Sequence, residues 1–281
     1  MNPILRTLLG ITVLLVVQVS LGVQSAFADK PRFGDTLTVS LGGMNHRGKA
    51  ELAVTRPDAP IDKLTFTDLG LTDETEVFWG DINWQFAERW KFRLNYSSFD
   101  ATGEQIQTTG GNFEDLEWEA GARLSTDFEM ELYIADITWD FLKTENAHLG
   151  VGVGIHAVDL DLGLVLEVGV SVDDESDFVE VGREGTSVLA PLPNLSLSGG
   201  YQIGEKVYLH GSLGLFSLEY DKYDGNLFSA RAGVEWRPWE HVGLGAAYQY
   251  VEVDLKVDRS NSREFYDFEF YGPILFLSVG F

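Results

Sequence analysis

Tyr271-Gly272-Pro273-Ile274-Leu275-Phe276-Leu277-Ser278-Val279-Gly280-Phe281 is the stretch that decides the fold of this chain. Side chains alternate between the two faces of a β-strand. One face of this stretch carries Leu275, Leu277, Val279 and Phe281, and the other carries Gly272, Ser278 and Gly280, with Ile274 and Phe276 among them. Pro273 lacks an N–H and predicts a local break in pairing. A transmembrane sheet must pair its last strand with its first, so the stretch predicts the closing strand of a β-barrel.

This ending resembles the closing strand of bacterial outer-membrane β-barrel proteins, in which apolar residues alternate up to a terminal Phe. The resemblance implies that four residues form a membrane-insertion signal: Leu275, Leu277, Val279 and Phe281. It also implies that the barrel-insertion machinery is a partner during biogenesis.

The N-terminal segment predicts a signal peptide at 1–28, followed by a barrel domain at 29–281. Met1–Arg6 carries one positive charge, Leu8–Val17 is nearly all apolar, and Ala26-Phe27-Ala28 is a small-x-small cleavage site. The alternative is a transmembrane anchor. It is disfavoured because the apolar core is short and is followed by polar residues rather than by a basic cluster.

The composition excludes several functions. Asp and Glu number 44 against 20 Lys and Arg, a net charge of −24, so nucleic acid is not expected as a partner. The chain has no Cys, which excludes thiolate chemistry and Cys-ligated metals. After the signal segment no stretch reaches the roughly 18 apolar residues of a membrane helix. A spanning protein must therefore span with strands.

Alternating apolar and polar residues predict an all-β fold, a transmembrane antiparallel up-and-down β-barrel of about ten strands, with eight as the fallback. Four short turns, near Ala87, Lys143, Ile203 and Arg237, should lie in the periplasm. The first strand is expected to be long and bulged, and the alternation of the fifth strand slips near His156. Three acidic stretches are expected as extracellular loops: 58–76, 104–131 and 173–184. Divalent-cation binding by these loops is a second interpretation, and a weak one because Asp173–Asp177 lacks the calcium-loop spacing.

Charged residues on the inward faces of neighbouring strands predict a salt-bridge network in the lumen. The residues are Asp81, Lys91, Arg93, Asp136, Asp140, Arg231 and Glu235. Such a network is either a selectivity constriction or a polar plug. The plug is favoured because side chains fill the interior of a barrel of about eight to ten strands.

An enzyme is the alternative hypothesis. His156, Asp159 and Asp161 suggest an Asp-His hydrolase, but on a regular strand His156 faces away from both acids. His210 has no acid at i±2, and no spacing supports a Ser-His deacylase, a metal site or a phosphate loop. We therefore expect no catalytic residues, no metal and no cofactor.

Taken together, the signal peptide, the alternating strands, the asymmetry of turns and loops and the terminal Phe281 resemble small opacity-type and OmpW-type barrel proteins of Gram-negative bacteria. The expected function is that of an integral outer-membrane protein, either structural or a narrow, porin-like pore for small solutes with a charged lumen. The alternative is a surface hydrolase or lipid A-modifying enzyme. Expected partners are outer-membrane lipid and lipopolysaccharide, and the barrel is expected to be a monomer at the cell surface.

Overall fold

The computed structural model describes residues 35–55, 64–72, 74–113, 116–172, 175–220, 223–258 and 263–281. The predicted signal peptide lies outside these residues and stays a prediction. Within them, no helix is long and apolar enough to cross a membrane.

The described chain is built from antiparallel strands. In chain order they are β1 (Leu37–Thr55), β2 (Leu64–Thr65), β3 (Glu74–Ala87), β4 (Trp90–Ile106), β5 (Gly111–Phe113), β6 (Leu116–Trp118), β7 (Arg123–Lys143), β8 (Ala147–Val172), β9 (Glu175–Ile203), β10 (Val207–Tyr220), β11 (Tyr223–Trp236), β12 (Val242–Asp258) and β13 (Arg263–Gly280). Leaving out the short β2, β5 and β6, each strand pairs with the next in the chain, and β13 pairs with β1. The prediction of an up-and-down barrel is confirmed, and the ring of described strands numbers ten rather than eight.

The ring closes in a single register. Pairs run from Thr38 with Gly280 to Thr55 with Arg263, and no shift interrupts β1 on either edge. The predicted bulge in the first strand is therefore wrong. Pro273 keeps its partner Tyr248 on β12, whereas the ladder with β1 passes from Ile274 directly to Tyr271. The predicted break at Pro273 is thus confined to the edge that faces β1.

The two ends of the barrel differ. At one end the strands are joined by turns at 88–89, 144–146, 204–206 and 237–241, close to the predicted positions. Exposed indole rings surround this end: Trp84, Trp90, Trp139, Trp236 and Trp239. Short turns and an aromatic girdle are typical of the periplasmic end of outer-membrane barrels.

The two faces of the wall exchange character partway up the barrel. On β7 the outward residues from Phe141 to Tyr133 are apolar or aromatic, and the inward ones include Asp140 and Asp136. Above Tyr133 the outward residues include Glu131, Glu129 and Asp127, and the inward ones, such as Phe128, are mostly apolar. The lower half thus suits lipid outside and polar groups inside, while the upper half has an apolar core in water, because the strands extend beyond the bilayer.

The same exchange explains β8. His156 is buried, and the even-numbered residues above it, such as Leu160 and Leu164, stay inward without a register shift until Leu166 and Glu167. The predicted slip near His156 is therefore wrong. The alternation is unbroken, and only the chemistry of the two faces changes.

The first two acidic stretches are not simple exposed loops. In the first, Phe66, Leu69 and Leu71 are buried, and the Phe66 ring lies 5.9 Å from Phe99 and 5.4 Å from Phe128, centre to centre. In the second, the β5–β6 hairpin buries Phe113, Leu116 and Trp118. The prediction of solvated loops is wrong for these residues, because both segments contribute to the apolar core at the mouth of the barrel.

The third acidic stretch, 173–184, belongs largely to the wall. Residues from Glu175 onward form the upper part of β9 and pair with β8. Strand pairing continues through this acidic stretch, so acidity alone did not distinguish strand from loop here.

Candidate functional site

Asp81 lies at the centre of the charged lumen. Its carboxylate accepts hydrogen bonds from Arg93 Nε at 2.7 Å and from Arg231 Nη1 at 3.2 Å. Arg93 is on the neighbouring strand, diagonal to Asp81, whereas Arg231 reaches across the lumen from β11. Arg93 also donates to Ser212 at 3.2 Å, and the Arg231 guanidinium lies 5.4 Å from the Trp79 ring centre. The Asp81 carboxylate on β3 thus links the neighbouring strand β4 with β11 on the other side of the lumen.

A second cluster surrounds Asp140. Lys91 Nζ lies 2.8 Å from Asp140 Oδ2, and His148 Nδ1 lies 3.5 Å from Asp140 Oδ1. His148 Nε2 is in turn 2.7 Å from the Tyr208 hydroxyl. Sequence reasoning missed His148 and Tyr208, although both face inward beside a predicted lumen charge.

A third cluster lies near the periplasmic turns. Glu235 accepts a hydrogen bond from Ser278 Oγ at 2.7 Å and lies 3.5 Å from Arg237 Nη2. Arg237 Nη1 also lies 2.7 Å from Asp35 Oδ2. The structure therefore places Glu235 beside Arg237, and Arg231 beside Asp81. Arg237 was missed because its position in a turn suggested solvent exposure.

Asp136 stands apart from these ion pairs. Its Oδ1 atom accepts a hydrogen bond from Asn194 Nδ2 at 3.3 Å, and Arg93, its cross-strand partner, donates to Asp81 and Ser212 instead. The glycine opposite Asp136 on β8 is required by packing, since a Cβ at Gly154 would contact Asp136 and Ala135.

The three clusters line a cavity of about 100 Å³ in the periplasmic half of the lumen. Its lining includes Asp81, Lys91, Arg93, His148 and Arg231. Opposite charges lie at hydrogen-bond distance in this space, so the side chains largely neutralise one another. Among the described residues, no group of His, Asp and Glu has the arrangement of a metal site.

The outer surface above the apolar band is acidic and begins with Glu131. The hydroxyls of Tyr96 and Tyr133 each donate to Glu131 at 2.9 Å. Asp159 is the direct cross-strand partner of Glu131. Partial burial, together with the neighbouring carboxylates of Asp161 and Glu131, raises the pKa of Asp159.

The Asp-His arrangement is not formed. His156 faces the lumen with 1% of its surface exposed, while Asp159 and Asp161 lie on the outer face. His210 stacks on Tyr208 with ring centres 5.8 Å apart. Of the predicted lumen charges, Asp136 lies near His156 and accepts a hydrogen bond from Asn194.

The residues of the expected insertion signal face outward on β13. Leu275, Leu277 and Val279 are exposed, and the backbone N–H of Phe281 donates to Leu37 O at 2.9 Å. These side chains therefore form part of the apolar band of the barrel wall.

The fold is that of bacterial outer-membrane β-barrel proteins. The structure of the outer-membrane protease OmpT from Escherichia coli matches with a TM-score of 0.55 at 13% identity, covering 92% of this chain and 99% of that one. The transport unit of the autotransporter AIDA-I from Escherichia coli matches with a TM-score of 0.41 at 9% identity, over 94% and 97% of the two chains. The attachment invasion locus protein Ail of Yersinia pestis matches with a TM-score of 0.28 at 13% identity, over 87% and 97%.

No protein-family model and no curated protein sequence matches the chain. The likeness to OmpT, at this level of identity, extends to the fold and not to the activity.

Proposed function

We propose that this chain is an integral protein of the bacterial outer membrane with a structural role at the cell surface, and that at rest it offers no continuous aqueous path. One observation supports the proposal: the described lumen is lined by two layers of different chemistry. The periplasmic layer is the ion-paired lumen around Asp81 and Asp140. The outer layer is the apolar core in the upper half of the barrel.

The outer layer supports the structural role most directly. Leu124, Phe128, Leu160, Leu164 and Ile274 are fully or almost fully buried and face inward. Buried apolar side chains of this kind pack at the density of a protein interior. A hydrated ion would have to lose its water shell to pass between them.

The distribution of histidine supports a non-enzymatic role. The five His residues are all described: His46 is packed between Phe99 and Phe270, and the others are His148, His156, His210 and His241. None of them lies on the acidic outer surface above the apolar band. A rim hydrolase that uses Asp and His would need one there.

The acidic outer surface supports placement in the outer leaflet beside lipopolysaccharide, whose phosphates would share divalent cations with these carboxylates. We further propose that the barrel is a monomer and that the insertion machinery reads the strand that contains Leu275, Leu277, Val279 and Phe281.

Single-channel conductance in planar bilayers tests the proposal. Wild type and Arg93→Ala should both be silent, because the apolar layer remains closed when one lumen cation is removed. Asp224→Asn, which changes an exposed ion pair with Lys256, serves as a matched charge control. Steady cation-selective openings that Arg93→Ala enlarges would instead favour the narrow-pore alternative.

The enzyme alternative assigns the chemistry to residues other than the three charged clusters of the lumen. If the barrel modifies lipid A, the candidate groups are the buried His156 and Asp136. The Asp136 carboxylate accepts a hydrogen bond from Asn194. Mass spectrometry of lipid A incubated with the protein would reveal a change in acyl composition. A change that His156→Phe abolishes would overturn the non-enzymatic role.

A further inference from the structure

The ladder between β9 and β10 ends early. Pairing runs from Ile203 with Val207 to Leu195 with Leu215 and stops there. Above this point β9 continues to Glu175 and pairs with β8 alone, while β10 continues to Tyr220 and pairs with β11 alone. Among the described residues the barrel wall therefore has a seam between residues 175–194 of β9 and 216–220 of β10.

Two prolines fix the lower end of this seam. Gln202 N donates to Asn146 O, on the side of β8, at 2.7 Å. Backbone groups alternate in direction along a strand, so odd-numbered residues of β9 direct their N atoms toward β10. Pro191 and Pro193 are both odd-numbered and have no N–H to donate. The edge that faces β10 thus lacks two consecutive donors at the point where the ladder stops.

The seam begins within the outward apolar band. Leu195 and Leu189, which flank the two prolines on the outer face, are 69% and 67% exposed. The outward partner of Pro191 on β8 is Ala157, directly below the acidic residue Asp159. The seam therefore opens where acyl chains of the outer leaflet meet the headgroups.

The interior behind the seam is apolar above and polar at its base. Leu192 faces inward with 6% exposure, and its Cδ2 atom lies 3.6 Å from where a Cβ on Gly225 would be. At the base, a Cβ on Gly214 would lie 3.1 Å from Asn194 Nδ2 and 3.4 Å from His156 Cε1. Both polar side chains therefore adjoin β10 at the end of the ladder.

These two side chains have unused hydrogen-bonding atoms. His156 and Asn194 are 1% and 4% exposed. Within the described part of the chain, both ring nitrogens of His156 and the amide oxygen of Asn194 lack a hydrogen bond of regular geometry, although the two side chains lie beside each other. Buried polar groups normally have partners, so these two side chains have the capacity to bind a further polar group.

A second seam shows what a filled one looks like. The β3–β4 ladder ends at Phe78 with Ser98, and Phe66 and Leu69 occupy the space above it. Gly70 and Gly103 are in such close contact there that a Cβ on either would clash with the backbone of the other segment. Above the β9–β10 ladder, Leu116 of β6 lies against Gly182 of β9, but no described strand pairs with the β10-facing edge of β9 beside the two prolines.

We propose that the β9–β10 seam is a lateral lipid-binding site. An amphiphile of the surrounding outer leaflet inserts through it, with its acyl chain passing from the outward Leu189 and Leu195 to the inward Leu192 and a polar group hydrogen-bonded to His156 and Asn194. A hydrocarbon chain needs no backbone donors, which suits an edge that contains two prolines. The site does not depend on the proposed closure of the lumen.

Photo-crosslinking to lipid tests the site. The full chain is refolded in phosphatidylcholine vesicles containing lipid A, with p-benzoylphenylalanine at Leu192. The same probe at Leu195 gives a lipid-facing control, and at Phe268, buried on β13, an interior control. Intact mass should show a lipid adduct at positions 192 and 195 and none at 268, and the mass increment identifies which lipid has entered. Labelling at 195 without labelling at 192 would overturn the proposal.

Two further variants test the parts of the site. Pro191→Val with Pro193→Val restores both donors, so the adduct at 192 should fall to background while that at 195 is unchanged. His156→Phe keeps the ring and removes both nitrogens, and it should lower the yield at 192 alone. An undiminished yield in both variants would contradict the assignment.

A smaller substitution covers the case in which the bulky probe prevents folding. The chain has no Cys, so Leu192→Cys and Phe268→Cys each introduce a single thiol. A maleimide attached to a lipid acyl chain should label position 192 and not position 268. Equal labelling of the two, or none at 192, would refute lateral entry.

Discussion

Asn in place of Asp81 removes the carboxylate that holds two buried cations. The side chain of Asp81 is 10% exposed, and those of its partners Arg93 and Arg231 are 14% and 8% exposed. Removing one partner of a buried ion pair leaves an uncompensated charge and typically costs about 3–5 kcal/mol. Ser212 and the Trp79 ring remain beside the two guanidinium groups and offset only part of the loss. We therefore expect Asp81→Asn to lower the free energy of unfolding by about 3 kcal/mol or more.

The assay is urea-induced unfolding in phosphatidylcholine vesicles, followed by tryptophan fluorescence. Asp224→Asn is the control, because its partner Lys256 is 57% exposed and such a surface pair contributes less than about 1 kcal/mol. The double variant Asp81→Asn with Arg93→Gln removes one of the stranded cations and should cost less than the two single changes added together. If Asp81→Asn costs no more than Asp224→Asn, the lumen charges are hydrated and the ion-paired plug is refuted.

Three further changes test separate parts of the barrel. Gly154→Ala should lower the free energy of unfolding by about 1–3 kcal/mol, because the added methyl group overpacks against Asp136. Gly163→Ala on the same strand should be tolerated, because the nearest atoms to its added methyl group are 3.8 Å away. Equal denaturant midpoints for the two variants would contradict close packing at Gly154. Phe66→Ala should lower the free energy of unfolding by about 3–5 kcal/mol, because it removes a buried ring from the core. Unchanged stability would mean that the segment 64–72 does not pack in the mouth of the barrel. Asp159→Asn should stabilise the barrel at pH 7 by less than about 1 kcal/mol because it removes a partly buried charge and relieves repulsion from Asp161 and Glu131. Since the folded-state pKa of Asp159 is raised, its destabilising effect is absent at low pH and grows as pH rises through that pKa; a benefit that persists at pH 3 would contradict this cause.

The lower half of the barrel could be predicted from sequence because lipid imposes one rule on every strand. In β4, Trp90, Phe92 and Leu94 alternate with Lys91 and Arg93, and the structure has these two sets on opposite faces. The same rule fails above the bilayer. In β8, Leu160 and Leu162 alternate with Asp159 and Asp161 just as regularly, but the apolar residues point inward. The surroundings of the wall change from lipid to water at this height, and no single residue marks the change in the sequence. This explains the wrong predictions of a slip near His156 and of a loop at 173–184.

Part of the lumen network could also be anticipated. Asp81 and Arg93 lie on adjacent strands of one hairpin and both face inward, so the alternation of faces and the closeness of the two strands in the chain predict their contact. Arg231 is separated from Asp81 by 150 positions and meets it only because the ring closes. Arg237 and Asp35 meet for the same reason at the periplasmic end. Contacts across a lumen depend on barrel diameter and shear, which the pattern of a single strand does not contain.

The exchange of faces at Tyr133 also fixes how deeply the protein sits in the bilayer. A downward displacement by two residues, roughly 7 Å along a strand, would carry Glu131 and Asp159 into hydrocarbon, and an upward one would carry the polar periplasmic turn at Glu88 and Arg89 toward it. Both directions are unfavourable, so the hydrophobic thickness of the wall is set by the chain. In membranes of different thickness the lipids around the barrel, rather than the barrel itself, must stretch or compress to match it.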